Sequence, residues 1–529
     1  MGQGPALTPA ERGRRALLFG AAALPLSGCW RGEDRGLSGG WVGAAHERGH
    51  RLREAPVPLA GTTPRRAAVL VVGAGIAGLA AARAFALQGV DDVQLLELED
   101  QAGGNSRGHR MAGMACPLGA HYLPQPGAAA HEVLDWMHQI GLLRHELGRS
   151  VPDERHLCHS PQERIFFEGA WHDGLLPPAD PTSATQAQYR RFAEQVAQAP
   201  LFTIPAHRAG WSAAHAGLDS QTFAAWLDNQ GLTDAHLRWY LDYCCRDDYG
   251  AGLDTVSAWA GLHYFASRHG FHAPGDGEGD RDPVFTWPEG NAWLTDRLAA
   301  PLHGRIHTQR VVHRVQEQRH GVEVSAWNGS AAETWLAGTV VLAVPLFVAA
   351  RLLVDAPQAL RQAVLRTVHA PWLVANLQLD KPLVDRPGVA PAWDNVAYGT
   401  RGLGYVDAMH QSLNPVPGAT VLTAYANVPV AERARLLGEP WQSWAGSLLA
   451  DLASVHPDLP LRLQRIDLMR YGHAMAVPVP GLHDDPSRAS LRGGKGRVRF
   501  AHADLAGYSV FEEAFIAGHE AGQAACRCG

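Results

Sequence analysis

The hydrophobic pattern is densest from residue 67 onward, where AAVLVV is an unbroken apolar run of strand length. A run this short, closed by glycine, predicts a strand buried on both faces of a parallel sheet. It ends in Gly73-Ala-Gly75-Ile76-Ala77-Gly78 and gives way to LAAARAFA, whose alanines favour a helix. VQLLELE then predicts a second strand. Farther on, NAWLTDRLAAPL has helical spacing, and RIHTQRVVHRVQEQRHGVEVSAW alternates as two strands hinged at His320 and Gly321, ahead of the apolar TVVLAVP. Residues 336–350 are too few to span a bilayer and include Pro345, so they predict a strand running into a helix. Residues 151–284 hold ERIFFEGAWHDG, with the pattern of a hairpin, and the helical TFAAWLDNQGL and HLRWYLDYCCRDDY. Residues 356–489 hold the alternating PWLVANLQLD and ATVLTAYANV and the helical PWQSWAGSLLADLA. Strands interspersed with helices over this length predict an α/β body.

The first 64 residues have another pattern. Arg12, Arg14 and Arg15 precede thirteen mostly apolar or small residues and then Cys29, the layout of a signal peptide. Arg14-Arg15 resembles a twin-arginine export signal, and Leu26-Ser27-Gly28-Cys29 resembles a bacterial lipoprotein cleavage box. Residues 1–29 are therefore expected to be a signal peptide ending in a lipidated Cys29, directing an exported, periplasmic protein anchored to a membrane. Residues 30–64 are rich in Gly, Arg and Glu without apolar periodicity and predict a flexible tether, about 30 to 35 Å across as a random coil.

Composition removes several function classes. The chain has 529 residues and a net charge of -6 with no long basic block, so no nucleic-acid partner is expected. The 27 histidines and seven cysteines show no HExxH or paired CxxC spacing, so no metal site is expected. Cysteine pairing cannot be read from spacing. Adjacent Cys244 and Cys245 could close only a strained ring, so buried free thiols are the default. Only Lys381 and Lys495 are lysines, which leaves few candidates for any reaction needing one.

The glycine motif carries the first chemistry. Gly73 allows a tight turn, Gly75 lets the backbone approach a pyrophosphate, and Gly78 lets the helix pack on its strand, while the helix N-terminus offers free N–H groups and a positive dipole end. Ile76 and Ala77 supply those N–H groups. Glu97 ends the second strand, nineteen residues after Gly78, where a carboxylate accepts from a ribose. A dinucleotide-binding unit is expected.

The paired Gly103-Gly104 directly after that strand resembles the second glycine motif of the FAD-dependent amine oxidase superfamily. The resemblance recurs along the whole body and implies FAD as cofactor. Asn105 and Ser106 then continue the cofactor contact, with Asn105 standing where the family usually has arginine. MACPLGAHYL resembles the stretch beside the isoalloxazine, with His121 as a lining residue. Val311 matches the residue that meets the adenine end. In RVRFAHADLAGYSVFEEAFIAGHEAGQAA, Asp504 matches the acidic residue at the ribityl or phosphate region, and Val510 begins the helix whose dipole faces the flavin. RYGHAMAVPVPG resembles the segment that stands an aromatic residue beside the flavin, Tyr471 or His473 here. The family's lysine at the reactive flavin nitrogen falls near Leu373 or Val374, both apolar.

The implied architecture is α/β, a Rossmann-like FAD-binding domain from residues 65–150, 285–355 and 490–526 interleaved with an α+β substrate-binding domain from 151–284 and 356–489. The implied function is oxidation of a small-molecule amine, giving an imine that water hydrolyses, with Tyr471, His473 and His121 as candidate catalytic residues. Desaturation of a hydrophobic carbon skeleton and flavin binding without turnover stay open. Oligomeric state and electron acceptor are not readable.

Overall fold

The computed structural model describes residues 36–54, 63–268, 270–274, 283–412, 418–492 and 496–526. The expected signal peptide with its Cys29, and Lys495 and Cys528, lie outside them, as does the side chain of Cys526. Every described helix and strand belongs to the compact unit Gly39–Gly529.

The apolar run at residue 67 lies in the strand Arg65–Val72, in the middle of a seven-stranded sheet. Val93–Leu96 and then Ile306–His307 add in parallel on one side, and Ala332–Leu342 adds in parallel on the other. Gly321–Trp327 and Val311–Gln318 continue from there antiparallel, as the alternating pattern foresaw. The last strand, Val498–Phe500, also pairs in parallel with Ala332–Leu342. Every strand of this sheet falls within the three segments expected to carry the cofactor.

An eight-stranded sheet gathers Glu163–Phe167, Ala170–Asp173, Asp394–Ala397, Tyr405–Asp407, Thr420–Asn427, Val368–Leu379 and Leu463–Val477. Helices Phe223–Asn229, Ala235–Tyr249 and Ala258–Ala266 share one apolar core with its face. The hairpin of ERIFFEGAWHDG and the helices of 223–229 and 235–249 form where the pattern placed them.

The eighth strand corrects an expectation. Gly39–Trp41 pairs in parallel with Leu463–Val477, Val42 N–H donates to Leu468 O at 2.8 Å, and a short helix His46–His50 comes next. Arg48 bonds Glu99 at 2.9 Å, and Arg470 stacks over the Trp41 ring at 4.4 Å. Residues 39–53 are thus built into the body, not part of a tether. A three-residue strand held by main-chain hydrogen bonds needs no hydrophobic alternation, so composition alone misread it.

Helix Ile76–Leu87 packs against the terminal helix Phe511–Cys526 through small residues. A Cβ on Gly518 would overlap the Ala77 carbonyl oxygen, and Ala80, Ala81 and Ala84 are buried in the contact region. The alanine-rich sequence therefore serves close approach as well as helix propensity. Four described cysteines, Cys116, Cys158, Cys244 and Cys245, are free and buried. Among the described residues no helix is long and apolar enough to cross a membrane.

Candidate cofactor and substrate site

A cavity of about 500 Å³ runs from the first glycine turn, past the start of Phe511–Cys526, to the end of helix Ala235–Tyr249. Its first half is built by the glycine motif. Gly73 has φ +98°, which only glycine adopts without strain. A Cβ on Gly78 would overlap the Gly73 carbonyl oxygen, so this glycine serves packing and does not line the cavity. Gly75 is the N-cap of Ile76–Leu87 and offers no capping side chain, so the first N–H groups of that helix are left for a ligand. Gly103 and Gly104 are clipped alongside: Gly103 N–H donates to Ala74 O at 2.9 Å and pairs with Gly75 as a bridge.

Glu97 lines this half and is buried. Its oxygens accept from Ala74 N–H at 2.7 Å and Glu99 N–H at 2.9 Å. Burial raises its carboxyl above the ordinary range despite those two bonds. Each oxygen retains a lone pair for a hydroxyl donor. Ile76, Ala77, Asn105, Ser106, Val311 and Val510 also line the cavity.

Two cofactor expectations are placed differently. Asp504 does not line the cavity. Its carboxylate, fully enclosed, accepts from Leu346 N–H at 2.9 Å and sits 3.1 Å from His369 Nε2 and 3.1 Å from His502 Nδ1. Burial alone would raise it, but the two histidines more than offset this and hold it well below its ordinary value. It fixes three segments to one another, and His502 and Ala503 line the cavity beside it. The Asn105 side chain donates to Ala474 O at 2.7 Å, tying the glycine pair to strand Leu463–Val477.

The charge missing at position 105 appears two residues later. Arg107 is buried, lines the cavity, and ion-pairs Asp100 through one nitrogen. Its other terminal nitrogen, Nη1, is buried without a hydrogen-bond partner among the described residues. An orphaned buried guanidinium nitrogen beside uncapped helix N–H groups and a half-free Glu97 fits a dinucleotide with an anionic bridge and a ribose. Arg107 escaped the sequence reading because the family spacing points to the residue just after the glycines.

The second half is aromatic and acidic. His121 stacks on Tyr425 with ring centroids 4.3 Å apart and planes 20° apart, and Tyr122 and Trp393 meet its other edges. Burial pushes the His121 imidazole down to about 3, so it is neutral. Tyr471 lines the cavity with its hydroxyl donating to Leu118 O at 2.8 Å, and a Cβ on Gly119 would stand 3.0 Å from that hydroxyl. His473 lines it too, against Phe347, and burial with Arg433 nearby pushes it down to about 4. All three candidate catalytic residues thus converge on one cavity, and both imidazoles are uncharged.

Asp247, Asp248, Arg268, Trp372 and Glu512 also line the cavity, and no local sequence pattern marks them. Asp248 pairs with Arg268 at 3.3 Å. Asp247, half-buried, is pushed up to about 7 by burial and then by the charge of Asp248. Burial pushes Glu512 up to about 7 as well. Leu373 and Val374 are buried away from the cavity, and it is Trp372 that reaches the wall. Lys381 is exposed, and no lysine lines the cavity among the described residues.

Residues 76–526 match the family model of flavin containing amine oxidoreductase. Among relatives, the chain is 28% identical over 284 residues to AofH of Mycobacterium tuberculosis, named as a putative flavin-containing monoamine oxidase, a stretch that covers 52% of this chain and 56% of AofH. The chain thus spans little more than half the length of that relative. Among solved structures, it resembles putrescine oxidase bound to putrescine with TM-score 0.64 at 18% identity, covering 88% of this chain and 100% of that one. Cyclohexylamine oxidase from Brevibacterium oxydans resembles it with TM-score 0.63 at 17% identity, covering 87% of this chain and 99% of that one.

Proposed function

Because the chain belongs to the flavin containing amine oxidoreductase family, we propose that it binds FAD in this cavity and oxidises a small-molecule amine. The observation that carries the reading is the continuity of one cavity from a pyrophosphate-type helix end to a wall of aromatic rings and carboxyls.

Glu97 and the backbone of Val311 would hold the adenosine half, Gly75, Ile76, Ala77 and Arg107 the pyrophosphate, and Asn105, Ser106 and Val510 the remainder. Bound there, FAD would accept a hydride from the carbon next to the substrate nitrogen. The chain's own residues prepare that nitrogen. Hydride removal needs a neutral amine, and an enclosed wall containing Tyr425, Tyr471, Trp372 and neutral His121 disfavours the ammonium form. The aromatic faces of Tyr425 and Tyr122 attract the amine as a cation before it loses its proton. His121 and His473, both neutral, are able to take that proton only transiently, since burial opposes their charged forms. No acid–base triad is required. Water then hydrolyses the imine product.

Purified protein is expected to show a flavin absorbance spectrum that bleaches anaerobically when an amine is added. Absence of bound flavin overturns the reading; bound flavin that no amine bleaches leaves a binding protein without turnover.

We also propose a location outside the cytoplasm, with the protein held to a membrane by a lipid on Cys29. Support comes from Arg14-Arg15 and Leu26-Ser27-Gly28-Cys29. A flavoprotein whose cofactor cradle joins segments hundreds of residues apart acquires its ligand on folding, which suits export in the folded state. Labelling with a radioactive fatty acid tests the anchor: a Cys29→Ala variant that takes up as much label as the parent removes it.

A further inference from the structure

If the cavity is an amine-oxidation site, a reading on which the class of amine also rests, its wall selects among amines. Three carboxyls line one stretch of that wall: Asp247 and Asp248 from the end of helix Ala235–Tyr249, and Glu512 from the first turn of Phe511–Cys526. Asp394, at the start of strand Asp394–Ala397, lies near enough to Asp247 for mutual repulsion. Arg268 is the cation on this stretch of the described lining, and it is committed to Asp248 at 3.3 Å.

Asp247 and Glu512 are therefore left without an ion pair of their own among the described residues, although the charge of Arg268 is felt by both. Asp247 has only the Tyr122 hydroxyl as a hydrogen-bonding neighbour, and no ion pair among the described residues. Glu512 is 4% exposed, and among the described residues its carboxyl accepts from no side chain, only from its own N–H at the helix end. A buried carboxyl without a partner is costly to ionise, and a fold that aims two of them into a cavity leaves the counter-charge to a ligand. No group of three metal-ligating side chains exists among the described residues.

The reaction decides which cation suffices. The nitrogen next to the oxidised carbon must be neutral to react, so it cannot balance the wall. A second nitrogen, remote from the reacting carbon, keeps its proton and can. We propose that Asp247 and Glu512 form a subsite for a second, protonated nitrogen, so that the preferred substrates are diamines or polyamines rather than monoamines.

Flavin-loaded protein titrated calorimetrically and anaerobically with butylamine, and with linear diamines of three, four and five carbons, tests this. At least one diamine is expected to bind ten or more times tighter than butylamine. Asp247→Asn and Glu512→Gln are each expected to shrink that ratio severalfold; should one variant fail to fold, the other and the parent ratio still decide. Equal affinities, no diamine binding, or a ratio unchanged by the variants overturns the proposal. A diamine that binds tightly yet leaves the flavin oxidised sustains the subsite and refutes the oxidation reading, which separates the two failures.

Discussion

The acidic wall makes diamine recognition depend on pH in a direction that can be worked out. Asp247 titrates at about 7, raised by burial and then by Asp248, against the opposing influence of Arg246, Arg268 and the Tyr122 hydroxyl. Asp394 repels it from behind. Only the ionised carboxylate attracts an ammonium, and a remote aliphatic amine stays protonated until roughly pH 10. With one such group, roughly one molecule in eleven is competent at pH 6 and ten in eleven at pH 8, a gain of about tenfold or 1.4 kcal/mol. Glu512 also titrates at about 7, so the two together steepen the rise. The reacting nitrogen titrates in monoamines and diamines alike, so the informative quantity is the ratio of butylamine Kd to diamine Kd. Neither wall histidine interferes, with His121 down at about 3 and His473 at about 4. Calorimetry at pH 6, 7 and 8 should show the ratio climbing roughly tenfold or more, with a proton release at pH 6 in excess of that for butylamine, an excess that disappears at pH 8. A flat or falling ratio refutes the reasoning, as does a full rise in Asp247→Asn.

Three further outcomes are expected. An Asp whose folded pKa stands above its unfolded value loses stability as pH rises from about 4 to about 7, and the loss is complete above that; Asp247→Asn should therefore raise the thermal midpoint over the parent at pH 8 and change it little at pH 4, and no gain at pH 8 counts against the burial argument. Gly78→Ala drives a Cβ into the Gly73 carbonyl, at about 1 to 3 kcal/mol or more for overpacking, so the denaturant midpoint should fall and bound flavin be lost; full flavin retention would show that the turn can move aside. Arg107→Met removes the guanidinium whose Nη1 has no partner among the described residues, and a charge-assisted contact of about 1.5 to 3 kcal/mol predicts flavin retention at least tenfold weaker on dialysis, measured by fluorescence of released flavin.

The cofactor half was legible because its chemistry is local. Gly73, Gly75 and Gly78 sit within one turn, and Glu97 closes the next strand, so strand, turn, helix and acceptor are specified within about thirty residues, as the dinucleotide-binding unit requires. The same holds for alternation at 311–318 and 321–327, which pair as hairpin neighbours. Asp504 was misplaced for a complementary reason: the sequence shows an acid at the right position but not that Leu346 N–H, His369 and His502 converge on it. The edge strand Gly39–Trp41 left no pattern, since main-chain pairing to Ile466–Leu468 is blind to side chains.

The acidic wall, by contrast, is assembled from the ends of elements far apart in the chain. Asp247 and Asp248 close a helix whose interior reads as ordinary core, Arg268 comes just after another, and Glu512 opens the last. An acidic residue near a helix N-terminus, such as Glu512, has a ready explanation in the dipole, and an Asp pair near a C-terminus looks like a solvated end. Only the cavity shows that these termini point inward together, at a place where water cannot screen them. Carboxyls near the C-terminal end of Ala235–Tyr249 gain nothing from its dipole, and enclosure raises the cost of ionising them. Asp248 has Arg268 to offset its charge, whereas Asp247 and the enclosed Glu512 have no ion pair of their own among the described residues; a cation that pairs with them relieves that cost, and the same relief is what gives a substrate with a second protonated nitrogen its advantage over one without.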